Sequence, residues 1–162
     1  MLKLSKKGIN LPESPIRKFI PFADYAKNKG VNVLHLNIGQ PDIDSPEESI
    51  NIVKKNKLKL LPYGSSEGSL SYRKSLVKYY SNHKININPD NIIVTTGASE
   101  ALTFTLNCIC DANDEIIIPE PFYANYNGFA SASNVKVVPI VSKFEEGFKL
   151  PLVEKIKSKI SN

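Results

Sequence analysis

The sequence is poor in the residues that build disulfide and metal sites. Its two cysteines, Cys108 and Cys110, form a C-x-C pair inside an apolar stretch, and its two histidines, His35 and His83, lie far apart. So few cysteines exclude a disulfide-stapled scaffold, and the pair is typical of small buried residues in a reducing compartment. A reactive thiol pair or half of a metal site is the alternative interpretation. We expect no metal site.

Long hydrophobic runs are also missing. No apolar stretch approaches the roughly 18–20 residues that cross a bilayer, and the opening MLKLSKKGINLPESP has neither the hydrophobic segment nor the cleavage site of a secretory signal. We therefore expect a cytoplasmic protein with no membrane partner. The chain has 162 residues, of which 41% are apolar, and this excludes a collagen-like chain and argues against wholesale disorder.

Arginine is scarce although the net charge is +5, because the basic residues are 19 lysines and only Arg17 and Arg73. The positive excess lies in residues 1–84, which carry 15 basic and 7 acidic groups, whereas residues 85–162 carry 6 and 9. Specific phosphate and base recognition in nucleic acids relies on arginine. The dispersed lysines therefore indicate a solvated surface, and we expect no nucleic-acid partner.

The second half of the sequence alternates between short apolar segments and amphipathic ones. The pattern predicts strands at 91–95, 115–118 and 135–141 and helices at 99–109, 122–132 and 151–160. Strands that are apolar on both faces and alternate with helices are typical of a parallel sheet covered on two sides. The predicted fold class is therefore α/β.

The first half is less regular. It predicts helices at 22–29 and 70–80, a strand at 31–38, and a helix that begins after Ser45 with Pro46 in its first turn. Ser69 is the predicted cap of the second of these helices. One face of that helix carries Leu70, Arg73, Leu76, Val77 and Tyr80.

Two junctions between predicted strands and helices are candidate binding loops. In VTTGASEAL (94–102), Gly97 allows a tight turn, and Ser99 adds a hydroxyl and a capping oxygen at the helix start, where backbone N–H groups bind anions. In PEPFYANY (119–126), Tyr123 offers a flat ring at the same edge of the sheet. The alternatives are an ordinary capped turn and core aromatics. Neither nucleotide-binding fingerprint, G-x-x-x-x-G-K-[ST] or G-x-G-x-x-G, is present.

The order and spacing of four segments resemble those of class I and II aminotransferases, which are pyridoxal-phosphate (PLP) enzymes of the aspartate aminotransferase fold. The segments are LNIGQPDIDSP (36–46), YGSSEGSLSYRKSL (63–76), IIVTTGASEAL (92–102) and IIIPEPFYANY (116–126). The second departs from the family pattern at Tyr72, where leucine is usual. The resemblance divides the chain into an N-terminal arm and start of a small domain (1–44) and the first part of a large PLP-binding domain (45–162).

The resemblance also implies roles for single residues. Gly97, Ala98 and Ser99 would bind the PLP phosphate, with Ala98 and Ser99 as donors. Tyr123, where many relatives have tryptophan, would stack on the pyridine ring and border the substrate. Gly39 would contribute backbone to the pocket of the substrate's α-carboxylate. Tyr63 would reach the phosphate bound by a neighbouring subunit, which implies a homodimer.

According to the resemblance, the family's cofactor-binding lysine lies beyond residue 162, and none of the 19 lysines matches its motif. We expect no catalytic residue in this segment and no activity of the isolated chain, which would be the N-terminal part of a larger enzyme. The implied activity of that enzyme is PLP-dependent transfer of an amino group between an amino acid and a 2-oxo acid. The alternatives are a PLP-dependent lyase or synthase of the same fold, or a non-catalytic truncated paralogue or regulator.

Overall fold

A computed structural model describes residues 2–161, which divide into two compact units. The first unit contains the residues up to Leu34 together with those from Gly97 onward, and the second unit spans His35–Thr96. Among the described residues the helices are α1 (Lys6–Asn10), α2 (Ile20–Asn28), α3 (Glu47–Lys55), α4 (Leu70–Asn82), α5 (Ala98–Ile109), α6 (Asn125–Ala132) and α7 (Val153–Lys157). The strands are β1 (Glu115–Glu120) and β2 (Lys136–Val141). The domain boundary between residues 44 and 45 stays a prediction.

The first unit is built around a parallel pair of strands. β1 and β2 run in register from Glu115 opposite Lys136 to Glu120 opposite Val141, and α6 is the helix that connects them. Isoleucines and valines favour such strands because their branched side chains pack well on a pleated surface. The buried core residues of the unit are Leu106 on α5, Ala130 on α6, Val135 and Ile140. The predicted α/β class is confirmed.

Two predicted strands are wrong. Within the described residues, 31–38 and 92–95 form no strand, and 91 ends a short 3-10 turn. A strand needs a neighbouring backbone to exchange hydrogen bonds with, whereas an apolar pattern encodes only burial. In the second segment, the Val94 N–H donates to the Glu67 carbonyl at 2.9 Å and the Ile92 N–H donates to the Pro89 carbonyl at 3.2 Å.

Several helices begin at other residues than the sequence predicts. α3 begins at Glu47 with Pro46 as its N-cap, so Ser45 is not the cap, although Glu47 and Glu48 do lie in the first turn. α6 begins at Asn125, three residues later than predicted, after a loop that opens with a cis Glu120–Pro121 peptide. The last helix is shorter than predicted and spans Val153–Lys157.

The second unit is organised around α4. Ser69 caps this helix as predicted, since its hydroxyl accepts the Tyr72 N–H at 3.2 Å. Arg73 is buried, and its guanidinium donates to the carbonyls of Gly68 (3.2 Å) and Pro89 (2.7 Å). Arg73 therefore ties the loop before α4 to the turn that follows it.

Much apolar surface is left uncovered. Exposed side chains include Leu58, Leu60 and Leu61, each more than 60% accessible. Within residues 2–161, none of the helices is both long and apolar enough to cross a membrane.

Candidate functional site

The first candidate element is the start of α5. Gly97 is its N-cap and has φ 83° and ψ 173°, a conformation that residues with a side chain rarely adopt. A Cβ built at Gly97 would meet nothing within 4 Å, so the space beside this backbone is open. Glycine is therefore required here for the turn itself, and its small size leaves room for a ligand.

The first turn of α5 presents backbone donors. The N–H groups of Ala98 and Ser99 have no carbonyl partner within the helix, because an α-helix cannot satisfy its first N–H groups. Both residues are exposed. α5 is 12 residues long, and its dipole places roughly half a positive charge at this end.

Ser99 is not the helix cap that its sequence position indicated. The N-cap is Gly97, so Ser99 lies inside the first turn, where its backbone carbonyl accepts the Thr103 hydroxyl at 2.9 Å. Its own hydroxyl is thus not used as a cap. Glu100 in the same turn adds one negative charge, which an anion bound here has to tolerate.

The second candidate element follows β1 and is aromatic. Tyr123 is 51% exposed, and its ring forms a T-shaped pair with the Tyr126 ring, with centroids 5.9 Å apart and an interplanar angle of 84°. The rings of Tyr126 and Phe122 also lie close together, with their centroids 6.1 Å apart. The Asn125 side-chain amide donates to the Tyr123 hydroxyl at 2.6 Å. A half-exposed ring held in this way leaves surface for a flat ligand.

The structure places the remaining predicted site residues in the second unit. Gly39 is exposed in an irregular segment, and a Cβ there would meet nothing within 4 Å. The Tyr63 side chain is fully exposed, at 107% of its reference area. Gly97, Ala98 and Ser99 are contiguous in the first unit, which also contains Tyr123.

Two features near these elements were not predicted from the sequence. The first is the contact of Asn125 with Tyr123, which depends on the backbone path of the loop before α6 and which no local pattern signals. Cys108 is exposed and Cys110 half-buried, both as free thiols. The prediction that both are buried is wrong for Cys108, which lies about 200° around α5 from the buried Leu106.

The chemistry of these residues fits a phosphorylated aromatic ligand. Backbone N–H groups, a serine hydroxyl and a helix N-terminus bind phosphate, and a half-exposed tyrosine binds a planar ring. Among the residues that the structure describes, no three His, Cys, Asp or Glu side chains gather as a metal site.

Comparison with known proteins gives consistent matches. The family model "Aminotransferase class I and II" matches residues 31–162. The chain is 33% identical to (5-formylfuran-3-yl)methyl phosphate transaminase of Methanocaldococcus jannaschii, over 98% of this chain and 43% of that protein. It is 30% identical to an aspartate aminotransferase of Pyrococcus horikoshii, over 98% and 40% respectively. Alanine aminotransferase from Pyrococcus furiosus superposes with a TM-score of 0.86 at 30% identity, over 98% of this chain and 41% of that one. The chain thus spans about two fifths of the length of these relatives.

Proposed function

Because this chain belongs to the class I and II aminotransferase family, we propose that it supplies the phosphate- and ring-binding part of a PLP-dependent enzyme. That enzyme transfers an amino group between an amino acid and a 2-oxo acid. The observation that carries the proposal is the start of α5, where Gly97 with φ 83° leads into the exposed Ala98 and Ser99. PLP, when bound, withdraws electrons from the substrate carbon that bears the amino group.

The proposed phosphate contacts come from one turn. The N–H groups of Ala98 and Ser99 and the Ser99 hydroxyl donate to phosphate oxygens, while the positive end of α5 offsets the phosphate charge. The absence of a side chain at Gly97 lets the phosphate approach the backbone. These contacts hold the cofactor in place and do not themselves move a proton.

The proposed ring contact is Tyr123. Its exposed face lies against the pyridine ring and shields it from water, and the substrate binds beside it. Gly39 contributes backbone to the pocket of the substrate's carboxylate, where a side chain would take up space.

We further propose that the enzyme is a homodimer with shared sites. A tyrosine whose side chain is fully exposed, as Tyr63 is, has its hydroxyl available to a phosphate on another subunit. The uncovered apolar side chains Leu58, Leu60 and Leu61 precede it in the chain and supply surface that a second subunit would bury. Replacing Tyr63 by Phe in the dimer should weaken cofactor retention and leave the fold of each subunit intact. A monomeric enzyme with full activity would contradict this proposal.

The phosphate site is tested with pyridoxine 5′-phosphate, which has an alcohol where PLP has an aldehyde and so cannot condense with the many lysines. Ser99→Ala removes one hydrogen bond to a charged group, worth about 1.5–3 kcal/mol, so the dissociation constant should rise roughly ten- to a hundredfold. Ligand-observed NMR measures such weak binding in the 162-residue chain. The matched control is Ser81→Ala, which replaces an exposed serine on another helix, α4, and should bind the probe like the wild type. Equal binding by both variants would contradict the phosphate assignment.

A further inference from the structure

We propose that Asn125 is a positioning residue that holds the Tyr123 ring in place for the bound cofactor. The inference rests on the proposed function, in which that ring lies against the pyridine ring. Its basis is the hydrogen bond from the Asn125 side-chain amide to the Tyr123 hydroxyl, 2.6 Å long. Asn125 is the first residue of α6 and is half-buried, so its own backbone is held by the helix.

Tyr123 needs such a contact because little else restrains its ring. It lies in the loop between β1 and α6 and is half exposed. The Tyr126 ring forms a T-shaped pair with it, and the Tyr126 N–H donates to the Tyr123 carbonyl at 2.9 Å. These contacts hold the backbone and limit rotation of the ring, but they leave its hydroxyl end to Asn125.

Two contacts together define where the phenol ring lies. The Tyr126 ring limits rotation of the Tyr123 ring about its long axis, and the Asn125 amide fixes the direction of that axis, because the para oxygen that it holds lies on the axis. A ring that is already oriented loses less conformational freedom when a flat ligand stacks on it, so preorganisation raises affinity. Asn125 thus acts on the ligand through Tyr123 and not by contact.

The test measures binding of pyridoxine 5′-phosphate to variants of the 162-residue chain. Asn125→Ala should raise the dissociation constant about three- to tenfold, the factor that one neutral hydrogen bond carries. The matched control is Asn127→Ala, since Asn127 is an exposed asparagine two residues further along the same helix. Its dissociation constant should equal that of the wild type.

A double-mutant cycle separates positioning from a general structural role. Tyr123→Phe keeps the ring but removes the hydroxyl, so Asn125→Ala should cause no further loss of binding in that background. Nuclear Overhauser effects between the Tyr123 ring protons and the probe's ring methyl should be present in the wild type and weaker in Asn125→Ala. Asn125→Ala should lower the urea unfolding midpoint only slightly more than Asn127→Ala does, because it removes a single exposed hydrogen bond.

The inference would be overturned if Asn125→Ala bound the probe like the wild type, or lost the same factor in the Tyr123→Phe background. Its failure is distinguishable from failure of the proposed function. If Ser99→Ala weakens binding and Asn125→Ala does not, only the positioning role is wrong. If the wild type does not bind the probe, or Ser99→Ala has no effect, the cofactor site itself is wrong.

Discussion

Replacing Gly68 by alanine should destabilise the second unit strongly. Gly68 has φ +92°, and a Cβ built there would lie 2.6 Å from both Cβ and Cγ2 of Val94. Val94 cannot easily move aside, because its Cβ is fixed to a backbone whose N–H donates to the Glu67 carbonyl at 2.9 Å. An alanine in the left-handed backbone conformation costs roughly 1–2 kcal/mol and its overlap with Val94 about 1–3 kcal/mol, so the free energy of unfolding should fall by about 2–5 kcal/mol.

Two other glycines serve as controls in the same urea titration, followed by far-UV circular dichroism. Gly64 lies in the same loop outside the left-handed region and with open space around it, so Gly64→Ala should be neutral or stabilising by up to about 1 kcal/mol. Gly30 has φ +79° but no neighbour within 4 Å, so Gly30→Ala reports the backbone cost alone. Equal unfolding midpoints for the Gly68 and Gly64 variants would refute the packing of Gly68 on Val94.

Further predictions concern burial. Arg73→Met should destabilise the second unit by about 2–4 kcal/mol, because it leaves two carbonyls without their charged donor. Asp90→Asn should lower the free energy of unfolding by less than about 1 kcal/mol, because that carboxylate lies 3.8 Å from the guanidinium and is 93% exposed. Urea unfolding midpoints measure the Arg73 and Asp90 variants, and equal losses of stability in the two would contradict this order. Ile140→Ala should lower the free energy of unfolding by about 2–5 kcal/mol, because Ile140 is only 1% exposed. Val141→Ala, at 60% exposure, should cost much less, and thermal unfolding compares the two.

Local patterns predicted those elements whose partners are close in sequence. β1 and β2 are neighbours connected by one helix, so the apolar residues that favour strands also meet a strand partner. The segment 92–95 is equally apolar but forms no strand among the described residues. The difference is that pairing depends on a second backbone, which no local pattern encodes.

The candidate site divides in a similar way. Gly97 could be predicted because a turn with positive φ needs glycine, whatever surrounds it. Helical spacing placed Arg73 on the same face of α4 as several apolar residues, and Arg73 is buried in the structure. The spacing did not identify the carbonyls that receive its hydrogen bonds, nor the contact between Asn125 and Tyr123, because side-chain partners depend on the backbone path of loops.

The central claim is that the first turn of α5 binds the cofactor phosphate, and amide NMR tests it most directly. Pyridoxine 5′-phosphate and pyridoxine, which lacks the phosphate, are titrated into the ¹⁵N-labelled chain. We predict that the phosphorylated probe shifts the amide signals of Gly97, Ala98 and Ser99 most, and that pyridoxine leaves them nearly unchanged. Shifts of equal size with both probes, or shifts confined to residues outside this turn, would contradict the account.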